Sequence, residues 1–313
     1  MQIARVAGMA LIALLLHTGC ARHETRQAAM PETTRVAAPA RPAPAPPPPP
    51  RPHYRALKLA GDHALTDLEN ALGAHKFALF LKVNRIDLSH VRDTDTLAVP
   101  DSSLDTLDLA PFPLELASAA SIPKLLLVSL RVQAFAAYEN GRLVHWGPVS
   151  TGKKTTPTPA GLYHANWKAK QRYSTVDDSW FLKWCVNIEV HEGISLHEYE
   201  LPGRPASHSC VRLAPDDAEW VYGWVDQWRL DPAGKLATPG TAVLVFGDYA
   251  WGARAPWKDL AQDPLAASVA LGELAAPLRL VVPAVASGDS AVAPGAVAPG
   301  AVAPADTSTV KRG

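Results

Sequence analysis

The segment at residues 124–149 constrains the fold of this chain most strongly. It begins with an apolar run, KLLLVSLRVQAFAAY, continues through Asn140-Gly141, and returns in a second apolar run at residues 143–149. Asn-Gly readily adopts the left-handed conformations of a type I′ turn, which joins two antiparallel strands. Further runs of strand length follow at Leu162 to Trp167, Cys185 to Val190 and Thr241 to Phe246. We therefore predict a mainly β (α+β) domain.

One helix is predicted inside this domain, directly after the stretch ASHSCVRL at residues 206–213. Pro215 suits the first position of a helix, and Asp216 and Asp217 suit its first turn, where backbone N–H groups favour negative charge. The apolar residues that follow recur at helical spacing, so a C-terminal helix is expected to cover the sheet.

The stretch ASHSCVRL itself places chemistry-bearing side chains at alternate positions, namely His208, Cys210 and Arg212. Alternate side chains of an extended strand share a face, so the three are predicted to point the same way. A thiol needs a base to become a nucleophilic thiolate, and an arginine suits a substrate carboxylate. We interpret Cys210 as a nucleophile and His208 as its base. A strand edge with a buried cysteine explains the same three positions, and this alternative stays open.

The surroundings of Cys210 resemble the catalytic domain of L,D-transpeptidases, the YkuD family. That family's pattern is a histidine, a loop, then Ser-His-Gly-Cys followed by an arginine, and His197 with SHSCVR matches it here. VSTGKKTTPTPAGLYHA at residues 149–165 is similar to the family's strand-and-loop segment. KLLLVSLRVQAFAAYENGRLV is similar to its opening hairpin. The resemblance covers about residues 122–250 and implies a YkuD-like β-sandwich.

Two departures from the family pattern bear on the site. Ser209 replaces the usual glycine, and the loop from His197 to Ser207 is shorter than is typical. Serine in a left-handed conformation costs about 1 kcal/mol, so we expect an ordinary backbone at Ser209. The oxyanion donors are expected to be backbone N–H groups around Cys210. Ser207 or a backbone carbonyl is expected to orient His208, and His197 to bind the substrate or hold its loop.

Four aromatic residues lie where the family carries its lid: Tyr173, Trp180, Phe181 and Trp184. They are candidates for the wall of a peptide groove, although packing explains any one of them as well. Cys185 is expected to be a core thiol on a strand.

The resemblance implies that peptidoglycan stem peptides are the substrate. Cys210 would displace the terminal D-Ala of a tetrapeptide stem, and an amine of another stem would resolve the thioester into a 3→3 crosslink or a protein attachment. One alternative is a carboxypeptidase or lipoprotein-link hydrolase of the same fold. A second alternative is a non-catalytic, wall-binding lipoprotein.

The N-terminus predicts export and lipidation. Arg5 precedes an apolar run at residues 6–16 that is too short for a mature membrane span, and HTGC at 17–20 resembles a bacterial lipobox. We expect residues 1–20 to be a signal peptide and Cys20 to carry the lipid. Because Asp does not follow Cys20, the resemblance implies an outer-membrane lipoprotein facing the periplasm. An ordinary cleaved signal with an incidental cysteine is the alternative.

The remaining segments are assigned by composition. Residues 21–53 form a tether whose stretch 39–52 contains nine prolines, which favours an extended spacer of about 40 Å. Residues 54–100 predict strand, helix, helix and strand, with GD, Asn84 and LAVP resembling the glycan-binding LysM module. A structural cap is the alternative. Residues 101–121 are expected to be a linker, and residues 251–313 a low-complexity tail in which AVAPG recurs.

Composition narrows the partner classes. The chain has 313 residues with 30 basic and 30 acidic side chains, so it lacks the charge excess that steers proteins to nucleic acid. Its three cysteines are too few for a disulfide framework. Histidines and carboxylates show no metal-ligand spacing, and we predict neither a metal nor a cofactor.

Overall fold

The computed structural model describes residues 52–61, 63–93, 96–100, 105–174 and 177–282. These residues all belong to one compact unit. The predicted signal peptide, Cys20, nearly all of the tether and the AVAPG repeats lie outside the described residues. Within the described ranges, no helix has the length and apolar character needed to cross a membrane.

The structure is mainly β with few helices, as the sequence predicted. The strands are β1 (Tyr54–Leu57), β2 (Leu97–Pro100), β3 (Lys124–Ser129), β4 (Ala134–Glu139), β5 (Arg142–Ser150), β6 (Gly161–His164), β7 (Lys168–Tyr173), β8 (Phe181–Asn187), β9 (Ser195–Glu198), β10 (Val211–Leu213), β11 (Arg229–Leu230), β12 (Leu236–Thr238) and β13 (Ala242–Phe246). The α-helices are α1 (Ala64–Asn84), α2 (Pro215–Trp224) and α3 (Leu271–Leu274), and short 3₁₀ turns lie at Leu88–Asp93, Leu107–Leu109, Ala117–Ala119, Pro256–Asp259 and Pro277–Leu280.

Nine strands form one continuous, curled sheet in the order β6-β13-β3-β4-β5-β10-β9-β8-β7. Two neighbouring pairs are parallel, β13 with β3 and β10 with β9, and the remaining pairs are antiparallel. The turn between β4 and β5 has positive φ at Asn140 (48°) and Gly141 (77°). The type I′ hairpin predicted from Asn-Gly is therefore confirmed.

Both faces of the sheet are covered, which explains the unbroken apolar run of β3. Leu125 and Leu127 point into one core, whereas Leu126 and Val128 point into the other, because successive side chains of a strand alternate. Helix α2 covers the second face. It begins at Pro215 as predicted and buries Ala218 and Val221 against the sheet.

The first face is covered by segments that the sequence did not assign to the core. Residues 251–282 were expected to belong to a low-complexity tail, and this part of the prediction was wrong. Trp257 is 1% exposed and Leu274 is fully buried in the same core as β3 and β4. The expected linker is also packed, since Phe112 and Leu116 are buried there. Short 3₁₀ turns hold these segments, so their apolar residues lack the periodicity that reveals longer elements.

The N-terminal module has the predicted order of strand, helix, helix and strand. Strands β1 and β2 pair antiparallel, and α1 is broken at Gly73, whose φ is 72°. Asn84, noted in the sequence for its LysM resemblance, has a structural role. Its amide donates to the carbonyls of Phe80 and Ala98 at 2.7 Å, and its oxygen accepts from the N–H of Ala98 at 2.8 Å. These bonds tie the end of α1 to β2.

Arg85 anchors this module to the nine-stranded sheet. The residue is 2% exposed, and its Nε donates to the carbonyl of Val132 at 3.0 Å. Its guanidinium lies 5.3 Å from the Trp146 ring and 5.9 Å from the Trp257 ring. Burial lowers the pKa of Arg85 to about 10, which still leaves it charged at neutral pH. A charge held this way fixes the module against both the sheet and the C-terminal segment.

Candidate active site

The predicted site residues meet where β9 and β10 run side by side. The two strands are parallel, and His197 is the register partner of Arg212. A narrow cleft at this point is lined by Cys210, His208, His197, Arg212 and Ser207 together with Ser174, Trp180, Leu182 and Tyr199. The structure thus brings together five of the six site residues predicted for the catalytic domain.

The sixth, Ser209, holds the turn that presents Cys210. The sequence predicted a strand through His208 and Cys210, but β10 begins only at Val211. The expectation of an ordinary backbone at Ser209 was also wrong, because its φ is 77°. A residue in the left-handed region cannot continue a strand, so residues 207–210 form a turn instead. The side chain alternation that was predicted does not apply, yet His208 and Cys210 still line one cleft.

Hydrogen bonds from the Ser150–Thr158 segment hold this strained turn. The hydroxyl of Thr158 donates to the carbonyl of Ser209 at 2.7 Å and accepts from the N–H of Gly152 at 2.8 Å. The N–H of Lys153 donates to the carbonyl of Ser207 at 2.9 Å. A Cβ at position 152 would lie 2.2 Å from the carbonyl oxygen of Thr156, so this close approach requires glycine.

Ser207 closes the turn from inside. Its hydroxyl donates to the backbone carbonyl of Cys210, three residues on. The side chain is 2% exposed. Ser207 therefore stabilises the turn, and the partner that contacts the His208 ring is a different residue.

That partner is Lys153, whose Nζ lies 2.8 Å from Nε2 of His208. An ammonium group only donates, so Nε2 accepts this bond and the ring proton of neutral His208 sits on Nδ1. Nδ1 is buried and has no hydrogen-bond partner among the described residues. The arrangement leaves a buried N–H donor of His208 unsatisfied by any group in the described part of the chain.

His197 is in a different state. Its Nδ1 lies 2.9 Å from the backbone carbonyl of Glu198, and a carbonyl only accepts, so Nδ1 carries the proton. Burial lowers the pKa of His197 to about 4, and the positive charge of Arg212 acts in the same direction. At neutral pH the ring is therefore neutral, and its unprotonated Nε2 can accept a proton.

Cys210 is a protonated thiol in this environment. Burial raises its pKa, although a backbone hydrogen bond at Ser195 and the charges of Arg212 and Arg172 oppose the rise. Its Sγ lies 3.9 Å from the carbonyl oxygen of Gly193. A thiol of this kind needs a base before it becomes nucleophilic.

Arg212 is held with its guanidinium 4.4 Å from the ring centre of Tyr199. Burial lowers its pKa, but an arginine remains charged at neutral pH. The cation is thus presented beside Cys210 in a fixed position, which suits a carboxylate of the substrate.

Of the four aromatic residues predicted to form a groove, Trp180 lines the cleft. Its ring lies 5.1 Å from that of His208. Tyr173 and Phe181 are exposed and contact each other at 5.4 Å, whereas Trp184 packs against Tyr222. Trp180 therefore lies against His208, and the ring of Tyr199 lies 6.0 Å from that of His197.

The second thiol is structural in its surroundings. Cys185 is fully buried on β8 and, like Cys210, is free of any disulfide. Burial raises its pKa to about 11. Within the described residues, no three His, Cys, Asp or Glu side chains cluster so as to hold a metal ion.

The sequence reasoning missed Lys153 and Tyr199. Lys153 follows the Ser-Thr-Gly segment that was singled out, and Tyr199 lies two residues after His197. Its position two residues after His197, directly after β9, was a usable signal for Tyr199. No sequence signal joins Lys153 to His208, because they come together through tertiary hydrogen bonds across 55 positions.

Part of the chain is similar to known proteins. Residues 123–245 match the family model of the YkuD L,D-transpeptidase catalytic domain. L,D-transpeptidase 1 of Mycobacterium tuberculosis is 26% identical over 113 residues, covering 31% of this chain and 44% of that protein. The chain therefore spans less than half the length of this curated relative.

Two solved structures are also similar to this chain. An L,D-transpeptidase from Stackebrandtia nassauensis is 25% identical, with a TM-score of 0.34, covering 41% of this chain and 57% of that one. The L,D-transpeptidase LdtMt1, solved in complex with imipenem, is 21% identical with a TM-score of 0.32, covering 40% and 59%.

The matched residues include β3 to β10, α2 and nearly all of β13, and with them every side chain of the cleft. Residues 123–245 are therefore similar to the YkuD family of L,D-transpeptidase catalytic domains.

Proposed function

We propose that the chain is a cysteine L,D-transpeptidase that acts on peptidoglycan stem peptides. The observation that carries the proposal is the pair of histidines around Cys210. One presents a free acceptor nitrogen, and the other presents an unsatisfied N–H donor. Acyl transfer from a thiol needs both a base for the S–H proton and a donor for the oxyanion.

His197 is the better candidate for the base. Its Nδ1–H is committed to the carbonyl of Glu198, and its low pKa keeps Nε2 unprotonated at neutral pH. The sequence favoured His208 for this role, but Nε2 of His208 is engaged by the Lys153 ammonium. We therefore assign proton abstraction from Cys210 to His197.

His208 then fits the oxyanion site. Lys153 holds its proton on Nδ1, and no described residue accepts a hydrogen bond from that N–H. A buried donor is costly to leave unsatisfied, and a substrate carbonyl oxygen would satisfy it as negative charge develops. Backbone N–H groups at the Ser209–Cys210 turn would act beside it.

The reaction follows from these roles. His197 takes the S–H proton while sulfur attacks the carbonyl carbon that precedes the terminal D-Ala of a tetrapeptide stem. The tetrahedral intermediate collapses to a thioester, and the proton passes from His197 to the departing amine of D-Ala. An amine of a second stem attacks the thioester, returns a proton through His197, and releases Cys210 with a 3→3 crosslink.

The nearest rival is a hydrolase of the same fold, in which water resolves the thioester. Transfer requires an acceptor amine to be held near the acyl carbon while water is kept away. The Trp180 wall supports transfer, whereas the short His197–Ser207 loop leaves one side open. We expect 3→3 dimers to dominate, with some tripeptide when acceptor is scarce.

Mass spectrometry of muropeptides tests this choice. Purified protein is given tetrapeptide muropeptides at rising acceptor concentration. Dimers should increase with acceptor, and the Cys210→Ala variant should give neither dimer nor tripeptide. Tripeptide alone at every acceptor concentration would identify a hydrolase, and an unchanged substrate would support the non-catalytic alternative.

We further propose that Cys20 is lipidated and that the protein is attached to the outer membrane on its periplasmic side. The lipobox-like HTGC supports this. Cys20→Ser should abolish lipid labelling and release the protein from the membrane fraction. A wild-type protein found free in the periplasm would contradict the proposal.

A further inference from the structure

A second cavity lies outside the catalytic cleft. A cavity of about 470 Å³ opens between the N-terminal module, the loop at residues 202–204 and the C-terminal segment at residues 249–258. Asn84, His90 and Asp93 contribute from the module. Its volume falls within the range of about 300–1,000 Å³ that is usual for small-molecule and peptide sites.

The cavity is basic, and two of its cationic side chains form no ion pair among the described residues. Arg254 is paired with Asp259, and His90 with Asp87. Among the described residues, by contrast, no carboxylate lies within ion-pairing distance of the Arg204 guanidinium or the Lys258 ammonium, although both line the cavity. Lys258 is half-buried, where a cation gains more from an anionic partner than it does at an open surface.

Arg204 links the cavity to the cleft. It lies in the short loop between His197 and Ser207, and its backbone carbonyl accepts from the Ser150 hydroxyl at 2.7 Å. Burial lowers the pKa of Arg212, and the charge of Arg204 lowers it further, so the two guanidinium groups are electrostatic neighbours. A ligand in the cavity would therefore lie beside the loop that leads to Cys210.

We propose that this cavity is a second binding site, which takes a carboxylate of a cell-wall peptide between Arg204 and Lys258. The inference rests on the proposed function for the class of its ligand. The carboxylate belongs either to the donor stem, beyond its reacting end, or to the acceptor stem. The chemistry is the same in both cases. The module contributes one wall, so it takes part in substrate binding beside the catalytic domain.

The test compares Arg204→Gln/Lys258→Gln with the wild-type chain and with a control, Lys235→Gln, which removes an exposed cation from the turn between β11 and β12. Binding is measured by calorimetry in the Cys210→Ala background, with a tetrapeptide stem as the probe. A copy of the probe with amidated carboxylates serves as the second arm. We expect the double variant to bind the free-acid probe at least about tenfold more weakly, because charge-assisted contacts are lost. Lys235→Gln should bind as the wild type does.

Kinetics with an intact Cys210 then show whether the bound carboxylate belongs to the donor stem or to the acceptor stem. Slower acylation by the donor stem would place the donor's carboxylate in the cavity, and a raised KM for the acceptor amine would place the acceptor's carboxylate there. Equal binding by the wild type and the double variant overturns the proposal, as does an equal loss in Lys235→Gln. Acylation of Cys210 by a carbapenem should be unchanged in the double variant. Loss of that acylation in the wild-type chain would instead count against the proposed function.

Discussion

The two halves of the catalytic cleft are built in different ways. His197 and Arg212 lie on neighbouring strands of a regular sheet, in register with each other. His208 and Cys210 lie on a turn with a left-handed serine, which is held by side chains and backbone of the segment at residues 150–158. The strand half of the cleft is positioned mainly by side-chain alternation and by the pairing of β9 with β10. The turn half depends on tertiary hydrogen bonds and carries backbone strain.

The same difference separates the two histidines. Both carry their proton on Nδ1, but the Nδ1–H of His197 donates to a backbone carbonyl, so its unprotonated Nε2 can act as a base. Nε2 of His208 accepts a hydrogen bond from Lys153, and its Nδ1–H has no acceptor among the described residues. Identical side chains therefore acquire opposite chemistry from their first hydrogen-bond partner. This comparison teaches that a motif locates a histidine without assigning its role.

The largest expected effect concerns the thiol on the turn. Cys210→Ala should remove all turnover and all carbapenem adduct while the protein stays folded, because only one sulfur atom is lost near the cleft. Cys185→Ala is the matched control. It should keep the adduct and lose about 1 kcal/mol or more of stability from a buried cavity. An adduct on Cys185 in intact-protein mass spectrometry would overturn the choice of nucleophile.

The strand half predicts a pH dependence of stability. The folded pKa of His197 is about 4, below the ordinary value of 6.5, so the unfolded chain binds a proton first as the pH falls. Stability from this group is present above pH 6.5 and is lost towards pH 4, with a slope of up to about 1.4 kcal/mol per pH unit. Urea denaturation at several pH values across this range should show that the free energy of unfolding changes less steeply with pH in His197→Gln. The same dependence of the free energy of unfolding on pH in the two proteins would show that His197 is not held neutral by burial.

Variants of Lys153 test whether this residue positions His208 on the turn. Lys153→Met should lower the rate of Cys210 acylation about tenfold, less than the roughly 10²-fold expected for deleting an oxyanion donor outright. Lys153→Arg should restore most of the rate, since it keeps a cationic donor near Nε2 of His208. The exposed neighbour offers a control, Lys154→Met, which should behave as wild type. A normal rate in Lys153→Met would remove the positioning role.

The smallest effect tests the strain at Ser209. Ser209→Gly should raise the free energy of unfolding by about 1 kcal/mol, because glycine tolerates a φ of 77°. Ser129→Gly, on the interior strand β3, should lower it instead. Both are measured by chemical denaturation. A Ser209→Gly variant less stable than wild type would mean that the serine hydroxyl, 3.3 Å from the carbonyl of Thr156, outweighs the strain.

Sequence reasoning recovered the regular parts of this molecule and missed the irregular ones. The hairpin at Asn140-Gly141 and the start of α2 at Pro215 follow from local chemistry, and both are confirmed. β7, β11 and β12 had no clear apolar pattern, since their residues are largely exposed or half-buried. The C-terminal segment was missed because 3₁₀ turns give Trp257 and its neighbours no periodicity.

For the site, the motif located the side chains but not their conformations. The presence of serine at position 209 argued for an ordinary backbone, but a tertiary bond from Thr158 and a local bond from Ser207 overrode that preference. The pairing of Lys153 with His208 was likewise out of reach, because it depends on how two distant loops meet. Local propensity is a weak guide where the surrounding structure supplies the energy.

The division of labour between the two histidines is tested most directly by the pH dependence of carbapenem acylation at Cys210. In the wild type the rate should be nearly constant from about pH 4, the pKa of His197, up to the range where the thiol itself ionises. His197→Gln should lose this plateau, and its rate should rise about tenfold per pH unit as thiolate forms. His208→Gln should keep the plateau at a height lowered about 10²-fold. A plateau that survives in His197→Gln and disappears in His208→Gln would contradict the account.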